Sequence, residues 1–137
     1  MAIVAYRGNF HTEYFPKKVS TAFAINDLVY LDSNGYLDKC TSTTATAIGL
    51  IQQTISSTDS DYASATMVPV LVGDADAEFL CTASGAAQTD VGEFIDLTNC
   101  TTVDVGNSTY DIFYVTGLVS ATSVIAKLCK KTGAAAG

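Results

Sequence analysis

The sequence contains no tryptophan, one histidine and two prolines, and only 15% of its 137 residues are charged. Each shortage excludes something. With a single imidazole, His11, and no G-x-S-x-G turn, a histidine-activated nucleophile has no sequence support. Neither G-x-x-x-x-G-K-[ST] nor G-x-G-x-x-G occurs, so no phosphate cradle is indicated. The four cysteines, Cys40, Cys81, Cys100 and Cys129, form no C-x-x-C pair, which removes a structural zinc site. Without tryptophan to stack on a sugar, nothing selects a carboxylate pair for glycoside hydrolysis. Seven basic residues against fourteen acidic ones leave a net charge of −7, which opposes binding to a phosphate backbone. No window approaches the roughly 18 apolar residues of a membrane span. Met1 to Phe10 also lacks the charged start and apolar run of a secretion signal, which predicts synthesis in a cytosol with the cysteines as small, buried, reduced residues. The expectation is a protein that is not an enzyme, holds no cofactor and contacts neither nucleic acid nor membrane.

What the chain does hold is 48% hydrophobic residues and a succession of short apolar runs separated by turn chemistry. Leu28–Leu31 and Tyr36–Cys40 flank Asp32-Ser33-Asn34-Gly35, a hairpin signal in which Asn-Gly accepts positive φ. Ala45–Gln53, Met67–Val72, Ala77–Thr82, Val91–Leu97, Thr101–Val105 and Tyr110–Val115 read as further strands; Val119–Cys129 permits a helix ending in Lys130-Lys131, but its Val, Ile, Ser and Thr favour a last strand. Pro69 places the Met67–Val72 strand at an edge or a bulge, because proline donates no ladder hydrogen bond. Strands at this spacing indicate an all-β domain, a small β-barrel or β-sandwich built with hairpins.

Residues 1–18 differ from the rest. They carry three bases against Glu13, a charge of +2, whereas the following residues carry four bases against thirteen acids, −9. Tyr6, Arg7, Phe10, His11, Tyr14, Phe15, Lys17 and Lys18 therefore make this segment either an interface arm or a first strand, and they are the candidate contact residues. A single β domain follows over 19–132, with a small-residue tail at 133–137 expected to be flexible. Asp74, Asp76 and Glu78 alternate, so they are the candidate oxygen ligands for calcium; the competing reading is a solvated hairpin tip that guards a sheet edge.

The hairpin L-V-Y-L-D-S-N-G-Y-L, A-I-G-L-I at Ala47–Ile51, V-P-V-L-V-G-D at Val68–Asp74 and V-G-E-F-I-D-L at Val91–Leu97 together resemble the small capsid decoration proteins of tailed bacteriophages. The resemblance covers about two-thirds of the chain and is one of pattern. It implies a compact β subunit, a homotrimer, that binds the exterior of an icosahedral head in the virion and bridges subunits of the major capsid protein after assembly in the host cytoplasm. The residues leave a second function open, a carbohydrate- or receptor-binding β module dependent on calcium.

Overall fold

The computed structural model describes residues 2–129; the small-residue tail and Lys130–Thr132 lie outside them. The chain begins with two strands, β1 (Ile3–Arg7) and β2 (Phe10–Pro16). They pair antiparallel with β7 (Glu78–Thr82) and β6 (Met67–Gly73), so residues 3–16 and 67–81 form one long bent ribbon. Of the two readings of the N-terminal segment, the structure takes the strand. Its corner is Gly8, whose φ of +92° suits glycine. Beside it the Asn9 carbonyl accepts from the Asp74 amide at 2.8 Å.

Beyond this corner the ribbon divides between two sheets. On one side β7, β11 (Ser123–Leu128), β10 (Phe113–Ser120), β8 (Phe94–Asn99) and β9 (Thr102–Asp104) form a five-stranded barrel, with β1 flanking β7. A parallel bridge between Thr82 and Thr102 closes it. On the other side β2, β6, β5 (Gly49–Ile51), β3 (Leu28–Leu31) and β4 (Leu37–Lys39) form the second sheet, in that order.

Alternate residues of the second sheet feed two different cores. Leu28 and Leu50 pack into the barrel core with Ile3, Phe79, Phe113 and Val115, whereas Val29, Ile51, Val68, Val70 and Val72 join Phe23 and Ile55 in a second core. Strands buried on both faces need no polar alternation, which is why LVYL, GLI and MVPVLV read as continuous apolar runs. Phe10, Phe79 and Phe113 link the ribbon to the barrel by edge-to-face contacts, with centroids 5.4 and 5.7 Å apart.

Four local expectations change. The β3–β4 hairpin forms, but only Gly35 takes positive φ, at +85°. The Asp32 carboxylate closes the loop instead, accepting from the amides of Asn34 at 2.9 Å and Tyr36 at 3.0 Å. Pro69 lies in an interior strand between β2 and β5, not at an edge. Its carbonyl accepts from Gln52 at 2.9 Å, so its nitrogen faces the same side, beyond the end of β5 at Ile51, and no rung to β2 is lost. Val91–Glu93 is not strand: a 3-10 turn at Gln88–Asp90 and Gly92 at φ +92° precede β8. Val119 and Ser120 end β10, and the chain turns at 121–122 before β11.

Candidate interaction surface

The ribbon distributes the eight N-terminal candidates between surface and interior. Tyr6 and Tyr14 are 48% and 61% exposed, and Arg7, His11 and Lys18 also reach solvent. Tyr14 stands opposite Pro69 in register, and Met67, two residues along, is 59% exposed on the same face. Phe10, Phe15 and Lys17 pack against the protein's own interior, the two rings in part and Lys17 wholly. Phe10 packs on Phe79, and Phe15 on the second core. Lys17 is wholly buried, its ammonium donating to the carbonyls of Tyr62 at 3.1 Å and Ser64 at 2.5 Å. This corrects the reading of all eight as contact residues: a long stem and a charge suited to an interface here hold the protein's own 56–66 loop.

The three alternating carboxylates meet three different residues of the N-terminal ribbon. Asp74 Oδ1 lies 3.0 Å from His11 Nδ1, whose Nε2 is 2.6 Å from Glu13. Asp76 accepts from the Asn9 amide at 3.2 Å and from Asn9 Nδ2 at 2.8 Å. Glu78 is gripped by Arg7 and also accepts from Thr116 Oγ1 at 2.5 Å. The Arg7 hydrogen bond, with that of Thr116, holds the Glu78 carboxyl below its usual range, and the Glu13 hydrogen bond raises the His11 imidazolium above its own. Arg7 also lies 5.3 Å over the Tyr6 ring. These acids fasten the ribbon and share no common point; among the described residues no group of three or more His, Cys, Asp or Glu converges to hold a metal.

The surface that sequence reasoning missed lies at the closed end of the barrel. There the β10–β11 turn meets the 83–87 loop, as the Ala83 and Ala86 amides donate to the carbonyls of Thr122 and Ala121, both at 2.9 Å. The 98–102 turn joins them through the Thr82–Thr102 bridge, and the 41–46 loop through a bridge between Thr41 and Asn99. Residues 41–46, 83–87, 98–102 and 119–123 contain no charged side chain, in a chain of net charge −7. Their hydroxyls bond locally: Thr41 and Thr44, Asn99 and Thr101, Ser120 and Thr122. A groove of about 710 Å³ opens among Thr82, Ser84, Thr98, Thr101 and Thr122. Such a surface offers methyl groups and hydroxyls with no ion to desolvate, which suits contact with another protein. The 41–46 and 98–102 loops are visibly threonine-rich in the sequence, and 83–87 and 119–123 are small and uncharged; that the four converge is not visible there.

The cysteines divide as well. Cys40 and Cys81 are buried, Cys100 is half-buried and Cys129 is exposed, so the reading of all four as buried holds for the first two only. Among the described residues no helix is long and apolar enough to cross a membrane. Compared with protein-family models and with curated proteins, the chain matches none of them.

Proposed function

We propose that this chain is a non-enzymatic structural subunit that binds the outer surface of an icosahedral phage head as a homotrimer and stabilises it by bridging neighbouring copies of the major capsid protein. The observation that carries the reading is the uncharged, hydroxyl-covered end of the barrel, set on a scaffold that is otherwise acidic. A bridging subunit needs more than one contact surface, and the exposed Tyr14 and Met67 supply a second, on the other sheet. Several weak contacts made at once then raise apparent affinity with no new type of contact. A calcium-dependent ligand-binding role has less support, because Asp74, Asp76 and Glu78 are each engaged by the N-terminal ribbon.

The test is co-sedimentation of the purified chain with expanded heads assembled from the major capsid protein of the same genome, made without decoration. Saturable binding in a fixed ratio to the capsid subunit, with a raised temperature of head disruption, is the expected result. A chain that stays in the supernatant and leaves head stability unchanged overturns the proposal.

A further inference from the structure

The backbones of two cysteines meet at the seam between the barrel and the second sheet. The antiparallel bridge between Thr41 and Asn99 sets Cys40 opposite Cys100 in register. Leu28 fixes both backbones, donating its amide hydrogen to the Cys100 carbonyl and accepting at its own carbonyl from the Cys40 amide, each at 2.9 Å. Both side chains belong to the margin of the barrel core, Cys40 within it and Cys100 packed against it. Directly opposed residues of an antiparallel pair lie roughly 4.5–5.5 Å apart at Cα, inside the roughly 4.4–6.8 Å that a disulfide spans.

We infer that Cys40 and Cys100 are a disulfide-forming pair, closed by exchange with a low-molecular-weight disulfide after the chain has folded with both thiols reduced. The reaction enters at Cys100, the half-buried member. Its thiolate attacks one sulfur of the reagent, forms a mixed disulfide and expels one reagent thiolate. Cys40 then loses its proton and attacks the Cys100 sulfur, expelling the second reagent thiol. One reagent disulfide becomes two thiols, and two protein S–H groups become one S–S bond. Burial, with Asp27 beside it, holds the Cys100 thiol up at about 11, and burial raises Cys40 as well, so exchange is slow near neutral pH and quickens in alkali. The bond fastens the end of β4 to the β8–β9 turn and joins the two sheets covalently. Nothing in this inference depends on the phage-head reading.

The test uses the full chain carrying Cys129→Ser, incubated with oxidised glutathione under mildly alkaline conditions, then denatured, alkylated and weighed intact. The expected product has lost two hydrogen atoms, takes up one alkyl group, at Cys81, and yields a proteolytic peptide linking residues 40 and 100. Its melting temperature rises, and dithiothreitol reverses the change. Adding Cys40→Ala should trap one glutathione on Cys100, whereas adding Cys100→Ala should leave Cys40 unmodified while circular dichroism reports a folded chain. A parent protein that keeps three alkylatable thiols, or that holds glutathione on Cys100 without resolving it, overturns the assignment.

Discussion

Gly8 lies against the backbone of Asp76 so closely that a β-carbon on it would stand 2.4 Å from the Asp76 carbonyl oxygen and 2.7 Å from Ala77 Cα. The ribbon bends here from barrel to second sheet, and the contact leaves no side chain to move aside. Gly8→Ala therefore combines a positive φ with a backbone collision. It should destabilise the fold by about 3 kcal/mol or more, read as a lower denaturation midpoint in urea. Gly35→Ala isolates the first effect, because Gly35 has a similar φ with nothing within 4 Å, and should cost only about 1 kcal/mol.

Lys17 and Lys18 are adjacent and opposite in role. Lys17→Ala removes a buried stem and withdraws the ammonium from the carbonyls of Ser64 and of Tyr62, the latter keeping only the Ser20 amide, so a loss of about 2–4 kcal/mol is expected, with faster proteolysis in the 56–66 loop. Lys18→Ala breaks only an exposed pair with Asp38 at 3.2 Å and should change stability by less than about 1 kcal/mol. Equal losses in the two variants would contradict this assignment.

The contrast also marks what the residues alone could convey. Apolar runs and turn residues placed most of the strands, since burial on both faces still demands Val, Leu and Ile, and Asp32-Ser33-Asn34-Gly35 fixed its hairpin by local chemistry. Pro69 misled because its tolerance depends on β5 ending at Ile51, a property of another strand. Lys17 misled because lysine is almost never fully buried, and the acceptors that permit it come from a loop some 45 residues away. The four uncharged loops carried no pattern that says they meet. Convergence of that kind arises from barrel closure at Thr82 and Thr102, a long-range event.

Two sets of ion pairs on the ribbon, the exposed ones of His11 and the partly buried one of Glu78, respond to pH in opposite senses. The His11 value is raised in the fold, first by its hydrogen bond to Glu13. Its contribution is complete below the unfolded histidine value, near 6.5, and is lost as pH rises through the higher folded value. The Glu78 value is lowered, first by its hydrogen bond to Arg7, so that contribution is present above the unfolded value, near 4.5, and is lost as pH falls through the folded one. Stability measured by denaturant titration should therefore fall at both ends of a plateau. His11→Gln should flatten only the upper descent, and Glu78→Gln only the lower.

Deleting residues 2–17 tests whether the ribbon is structural. The deletion takes Ile3 from the barrel core, the Phe10 ring from Phe79 and the Lys17 clasp from the 56–66 loop, and it strips β6 of its β2 partner. The expected product is insoluble or lacks a cooperative thermal transition. A truncated chain that melts cooperatively near the parent temperature would restore the detachable arm.

The uncharged end permits a sharper test of head binding than any truncation. Ser84 and Thr122 are exposed there, Ser84 beside the groove and Thr122 in the β10–β11 turn, so replacing both with glutamate adds charge where the parent has none while leaving both cores untouched. Surface changes of this kind move stability by roughly 0.5 kcal/mol each, and the melting temperature should change little. A glutamate pressed against a capsid surface must instead be desolvated without a partner, which should lower co-sedimentation with heads at least tenfold. Contact through a neutral face is also little screened, so binding by the parent should persist in about 1 M salt, where attraction between exposed charges has largely vanished. Binding that survives both glutamates but disappears in salt would transfer the contact to Arg7, His11 and Lys18 on the N-terminal ribbon.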